Sequence, residues 1–129
     1  MSWYIDSSAI IKLIVAERES PHLKEYISEN LLTSEISRVE VMRTVTVSAS
    51  SLAPLAKKVL GALHSVDISP SILYIAENFT SDISLRTLDA IHVATALSLQ
   101  QVINGVITYD KEMSKNAKAL GLSVVSPGA

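Results

Sequence analysis

The sequence predicts an α/β domain in which about five short parallel strands carry helices on both faces. Three observations support that reading. Short apolar or β-branched runs alternate with longer helix-patterned stretches along the whole chain. No two-residue hairpin signal joins consecutive runs, so the strands lack the turns that antiparallel pairing needs. The 129 residues, 48% hydrophobic and 19% charged, have the size and composition of one compact core, a length at which about two-thirds of the unfolded surface can be buried. The expectation is therefore a single domain over residues 1–129, without internal repeat, linker or low-complexity tract.

The first apolar run, Trp3-Tyr4-Ile5, reads as a strand that stops at the polar turn Asp6-Ser7-Ser8, and Ala9 to Val15 then reads as a helix. Ser20 and Pro21 open a second helix to about Asn30: Ser20 suits the cap, and Pro21 suits a first turn whose N–H groups lack partners. Leu31-Leu32-Thr33 is the second strand. Helices follow from Ser37 to Ser48 and from Ser50 to Leu63, with Pro54 confined to a first turn. Val66-Asp67-Ile68 is the third strand, Ser71 to Ser81 a helix, and Leu85 to Gln100 a long one. Val106-Ile107-Thr108 is the fourth strand; Lys111 to Leu120 is helical and ends at Gly121, where a left-handed C-cap is expected. Ser123-Val124-Val125 completes the sheet.

Composition removes several function classes. With no Cys, disulfide scaffolds, zinc–thiolate sites, iron–sulfur clusters and cysteine nucleophiles are all excluded. Eleven basic against thirteen acidic residues give a formal charge of −2, so no global positive field draws in nucleic acid, and such a function would rest on a local site. No apolar run reaches the eighteen or so residues of a membrane span, and the opening residues have neither a basic segment nor a long apolar stretch. The expectation is a cytoplasmic protein that does not engage a membrane.

In a parallel sheet every strand's carboxyl end lies on one edge, where ligand crevices form. Asp6 follows the first strand and Asp110 the fourth, separated from it by Tyr109. Glu40 and Asp89 lie in the first turns of helices that can point back to that edge. Each has an ordinary structural use. Asp6 and Asp110 suit turns or N-caps. Ser37-x-x-Glu40 is a capping-box pattern, and Glu40 with Arg43 is a helical ion pair. Asp89 could complement the helix dipole, yet its helix is apolar on nearly every side, and a carboxylate stands there where packing alone would choose Leu or Ala.

Taken together the four acids point elsewhere. Two carboxylates about 4 Å apart repel by about 4 kcal/mol at an effective dielectric near 20, so such a cluster needs protonation or a cation. Oxygen-only ligation suits Mg²⁺ or Mn²⁺, ions that polarise phosphates, activate water and stabilise a leaving oxygen. Setting the four aside leaves nine acidic against eleven basic residues, a formal +2 that a bound ion would expose.

The segments Trp3–Leu13 (WYIDSSAIIKL), Ser37-Arg38-Val39-Glu40, Leu88–Leu97 (LDAIHVATAL) and Ile107-Thr108-Tyr109-Asp110 resemble the PIN-domain family, and most of all its VapC-type ribonuclease toxins. The resemblance covers essentially the whole chain. It implies a three-layer α/β/α domain around a five-stranded parallel sheet. It further implies a catalytic site of Asp6, Glu40, Asp89 and Asp110 binding Mg²⁺ or Mn²⁺, hydrolysis of RNA by an activated water, homodimerisation, and inhibition by a separately encoded antitoxin. Ser7 and Thr108 match small polar residues found beside the first acid and before the last, and Glu112 offers a substitute for the fourth ligand.

Lys12, Arg43, Arg86, Lys111 and Lys115 lie on helices nearest the expected edge and could form a cationic rim for RNA, against the ordinary reading of solvated helix faces. His92 reads as a residue of the cleft wall or the dimer contact ahead of a ligand or general base. Trp3 and Tyr4 read as strand core rather than base-stacking platforms. A receiver domain would need an acidic pair at strand one, an acid after strand three and a Lys after the last strand, whereas Asp6, Ile68-Ser69-Pro70 and Val125-Ser126-Pro127 supply one acid only. A haloacid-dehalogenase-type phosphatase would need Asp-x-Asp where Asp6-Ser7-Ser8 stands. A catalytically inert scaffold that binds RNA or protein is the remaining alternative.

Overall fold

The computed structural model describes residues 2–27 and 30–129. In chain order the elements are β1 (Ser2–Ile5), α1 (Ser7–Lys12), α2 (Ser20–Tyr26), β2 (Leu31–Ser34), α3 (Ile36–Ser48), a 3₁₀ turn (Ser50–Leu52), α4 (Ala53–Gly61), β3 (His64–Val66), α5 (Pro70–Glu77), α6 (Thr87–Ser98), β4 (Ile103–Ile107), α7 (Lys111–Ala119) and β5 (Val124–Val125). All strand pairings are parallel, in the order β3-β2-β1-β4-β5. The chain builds outward from β1 to β3, then crosses back to place β4 on the other side of β1. This reversal opens a crevice at the carboxyl ends of β1 and β4.

Alternation along the central strands separates two apolar layers. Ile5 and Ile107 join Ala9, Ile10, Leu23, Val41, Val45, Ala56 and Leu60 of α1 to α4 on one face. Tyr4 and Val106 join Val93, Ala96, Met113 and Ala117 of α6 and α7 on the other. Successive strand residues point to opposite faces, so each central strand is buried on both sides and the fold is a three-layer α/β/α sandwich.

Several boundaries differ from the expectation. Helix α1 begins at Ser7, directly after its N-cap Asp6, and ends at Lys12, short of Val15. Helix α2 ends at Tyr26, with Ile27 extended; of its expected continuation to Asn30, Ser28 and Glu29 lie outside the described residues. Glu19 precedes α2, and the Ser20 hydroxyl accepts from the Glu17 amide instead of capping the helix. The expected helix from Ser50 to Leu63 is a 3₁₀ turn leading into α4, with Pro54 in its first turn.

The third strand is His64–Val66, two residues earlier than expected, because pairing to Leu32, Thr33 and Ser34 sets its register. As an edge strand it buries little, and its sequence carries no clear alternation. Helix α5 starts at Pro70, capped by the Ser69 hydroxyl, and ends at Glu77, before a turn in which Ile83 N–H donates to Thr80 C=O. Helix α6 begins at Thr87, because α7 pins the preceding loop: Asn116 Oδ1 accepts from Ser84 N–H at 3.1 Å, and Ser84 Oγ donates to Glu112; the helix ends at Ser98. Strand β4 starts at Ile103 and stops at Ile107, so two residues rather than one separate it from Asp110. The C-cap at Gly121 is as expected, with φ +92° and Leu122 N–H on Ala117 C=O at 3.0 Å.

Candidate active site

Asp6 emerges from β1 as the N-cap of α1, and Asp110 follows β4 as the N-cap of α7, accepting from the Ala9 amide at 3.1 Å and the Met113 amide at 2.8 Å. Capping and a place at the crevice are compatible. A residue between a strand's carboxyl end and a helix amino terminus holds its carboxylate at the edge while one oxygen satisfies the helix. Asp6 is buried: Thr108 Oγ1 donates to its Oδ2 at 2.6 Å and Ser8 Oγ to its Oδ1 at 2.7 Å. Burial pushes its carboxyl above the usual range, further than those hydrogen bonds pull it down.

Glu40 departs from the capping-box expectation. The residue before α3 is Glu35, which makes no side-chain cap, and the Ser37 hydroxyl is buried against Thr33 Oγ1 at 2.6 Å. Glu40 Oε1 instead accepts from Ser7 Oγ and from His92 Nε2, each at 2.6 Å. Burial opposes its ionisation, but these bonds outweigh burial and hold the carboxyl below its ordinary range. Among the described residues Glu40 forms no ion pair with Arg43, which lies on an exposed groove with Thr44, Val47 and Ser48, apart from the carboxylates.

Asp89 lies in the first turn of α6, which is more open than the expectation of a wholly buried helix: Arg86, Thr87 and Leu88 are exposed and burial sets in from His92. Asp89 shares a cleft of about 460 Å³ with Ser84, Arg86, Asp110 and Glu112. Its carboxyl is raised by burial first, then by the negative charge of Asp110, with smaller contributions from Glu40 and Asp6. Asp89 therefore feels the charge of the other three acids.

In the described region Asp89 has no hydrogen-bond partner for either carboxylate oxygen, and Oε2 of Glu40 and Oδ2 of Asp110 are likewise free. No three His, Asp or Glu side chains among the described residues converge into a ready-made cation cage. Free hard oxygens on mutually repelling groups that are not drawn onto one point suit an ion that keeps much of its water, as Mg²⁺ does.

The basic residues divide sharply. Lys12 does not reach a rim: its ammonium binds Glu17 at 2.8 Å and Glu19 at 3.2 Å and lies over the Tyr109 ring. Arg86 borders the acidic cleft. Lys111 and Lys115 line an adjoining depression together with Lys118, Ser114 and Ser126, and Asp110 lines both depressions. Lys118 was legible as the third member of an i, i+4, i+7 face of α7, once that helix was placed at the edge.

Two further side chains were missed. Ser8 Oγ, besides binding Asp6, accepts from the Tyr109 amide at 3.0 Å and ties the β1 and β4 termini together. The Tyr4 ring is core, as expected, but its hydroxyl bonds His92 Nδ1 at 2.6 Å. His92 is 1% exposed with both ring nitrogens engaged, so it lines the inner wall and is not free to ligate.

A stability prediction follows from Asp89. Its raised carboxyl makes the ionised form costly in the fold, so metal-free Asp89→Asn melts at or above wild type at neutral pH. The difference closes as pH falls through the raised value, where wild type takes up its proton. Thermal melts with and without Mg²⁺ check this; a loss of several degrees at neutral pH would make Asp89 a structural cap.

The family described as "PIN domain" matches residues 3–119. Ribonuclease VapC46 of Mycobacterium tuberculosis (strain ATCC 25618 / H37Rv) is 37% identical over 126 residues, covering 96% of each chain. Ribonuclease VapC35 of M. tuberculosis (strain CDC 1551 / Oshkosh) is 34% identical, covering 97% of this chain and 96% of its own. Among solved structures, a toxin–antitoxin complex from Klebsiella pneumoniae superposes with a TM-score of 0.77 at 23% identity, covering 97% of both chains. M. tuberculosis VapC20, described as a sarcin-ricin loop cleaving toxin, gives 0.75 at 14%, covering 98% of this chain and 100% of its own. At those identities the structures speak for the fold, which is the α/β/α sandwich described above. The extent of the family match and the sequence relatives go further: the chain belongs to the PIN-domain family and is VapC-like within it.

Proposed function

We propose that this chain is a divalent-metal-dependent endoribonuclease and the toxin of a toxin–antitoxin pair, with Asp6, Glu40, Asp89 and Asp110 as its site. The observation that carries the reading is Asp89, a part-buried carboxylate that has no hydrogen-bond partner among the described residues and faces the charge of three further acids. Packing gives no return for that arrangement, whereas a Mg²⁺ or Mn²⁺ ion would relieve it. Such an ion supplies polarisation of the scissile phosphate and activation of water.

The protein's own groups do the positioning. Ser8 and Thr108 fix Asp6, Ser7 and His92 fix Glu40, and the amino terminus of α7 fixes Asp110. Glu112, beside Asp89 and Asp110 in the cleft, is held by Ser84 and stands ready as an additional oxygen donor. Arg86 on one side, and Lys111, Lys115 and Lys118 on the other, gather the backbone phosphates of an RNA strand. A separately encoded antitoxin and a second copy of the chain are the proposed protein partners; exposed Leu73, Tyr74 and Leu88 offer apolar surface for such contacts.

The test is incubation of purified protein with single-stranded RNA, mapping the cut sites. Cleavage is expected with Mg²⁺ or Mn²⁺ and absent with a chelator. Binding of RNA without cleavage under any metal condition would make the chain a binding module instead.

A further inference from the structure

A chain of hydrogen bonds runs from the buried end of β2 through Tyr4 and His92 to Glu40. The Ser34 amide donates to Tyr4 Oη at 3.2 Å, Tyr4 Oη meets His92 Nδ1 at 2.6 Å, and His92 Nε2 meets Glu40 Oε1 at 2.6 Å. Tyr4 and His92 are almost wholly buried, at 0% and 1% exposed, and their rings pack edge to face with centroids 5.9 Å apart.

The proton positions follow from donor counting. Tyr4 Oη already accepts from Ser34, the nearby Thr33 hydroxyl is engaged with Ile5 C=O at 2.7 Å and Ser37 Oγ at 2.6 Å, and His92 Nδ1 stands at 2.6 Å, so the phenol donates there. That nitrogen then carries no proton, which leaves Nε2 as the N–H that donates to Glu40. Ser7 donates to the same oxygen from the other side. Glu40 is thus gripped by one oxygen, while Oε2 has no protein partner in the described region.

We propose that His92 is the positioning residue of Glu40, with Tyr4 fixing the imidazole tautomer that donates to it. This rests on the reading of Glu40 as a functional carboxylate. Helix α6 thereby has two tasks one turn apart. At Asp89 it presents a carboxylate to the cleft, and at His92 it aims a carboxylate that belongs to α3. The buried ring cannot rotate to serve solvent or substrate, so its effect passes through Glu40.

The experiment is a double-mutant cycle of His92→Leu and Glu40→Gln, read both as RNA cleavage and as Mn²⁺ binding by calorimetry, with His92→Gln and Tyr4→Phe alongside. Loss of a partner that orients a metal-site ligand typically costs about 10- to 100-fold. His92→Leu is therefore expected to lower kcat and Mn²⁺ affinity within that range, with KM for RNA little changed. In the Glu40→Gln background it should add almost nothing. His92→Gln, whose amide can still donate to Glu40, should recover much of the loss.

The ¹⁵N spectrum of the wild-type imidazole should show Nε2 protonated and Nδ1 bare, a pattern that Tyr4→Phe disturbs. A loss that adds in full to that of Glu40→Gln, or a protonated Nδ1 in the wild type, overturns the proposal. If Asp89→Asn is inactive while His92→Leu is as active as wild type, this inference fails and the nuclease reading stands. If wild type neither cleaves RNA nor binds Mn²⁺, both fall.

Discussion

Asp89→Asn is expected to lose RNA cleavage by about 100-fold or more at saturating Mg²⁺ or Mn²⁺ while keeping the fold. Partners that merely orient a metal ligand cost about 10- to 100-fold when removed, so removing a ligand charge starts at the top of that range. The substitution keeps size and shape, and it breaks no protein hydrogen bond, because among the described residues the Asp89 carboxylate makes none. Asp6→Asn should lose as much cleavage but interprets less cleanly. Asp6 is buried and accepts from Thr108, Ser8 and the Ala9 amide, so its amide would set an N–H₂ group against existing donors and destabilise the protein as well. Cut-site mapping beside a thermal melt separates the two. Undiminished cleavage by a folded Asp89→Asn protein would remove Asp89 from the catalytic site.

Gly105→Ala is expected to destabilise the chain by about 1–3 kcal/mol, the usual cost of overpacking, lowering the melting temperature by several degrees or more. A Cβ at position 105 would stand 2.4 Å from the Ser123 carbonyl oxygen and 3.0 Å from the Ser123 carbonyl carbon and Cβ. The first two obstacles are backbone. That same carbonyl accepts from Val106 N–H at 2.8 Å, and β5 is a two-residue edge strand in register with β4 at Val106↔Val124 and Ile107↔Val125. Displacing Ser123 therefore detaches an edge strand and loosens Thr108, whose amide donates to Val125 at 3.2 Å and whose hydroxyl holds Asp6. Activity should fall with stability. An unchanged melting temperature would show that β5 shifts freely.

The residues differ in how far they could be read from the sequence. Asp6 and Asp110 were legible as turn-and-cap acids because an N-cap is a contact between neighbours three residues apart. That both stand at the same edge of the sheet was legible as soon as their strands were taken as parallel, whereas only Asp110 lines the open cleft and Asp6 is buried beneath Thr108 and Ser8. Gly121 was legible for the same local reason. Glu40 was not: its sequence neighbours suggested a bond to Ser37 and a pair with Arg43, but its partners are Ser7 and His92, 33 and 52 positions away. Lys12 looked as free as Lys115 until Glu17 and Glu19 folded back onto it. The third strand was misplaced because an edge strand carries no alternation of its own and takes its register from β2.

The sequence by itself determined the alternation of strands and helices, the absence of cysteine chemistry, and the acids at strand ends that resemble the PIN-domain site. These depend on contacts within about one turn or on the periodicity of each element. The tertiary structure alone decided the order β3-β2-β1-β4-β5, which places β1 beside β4, along with the charge Asp89 feels from the other three acids and the Tyr4–His92–Glu40 chain. Those depend on which distant segments pack together. Burial pushes the carboxyls of Asp6 and Asp89 up, whereas at Glu40 the donors His92 and Ser7 outweigh it and hold the carboxyl down.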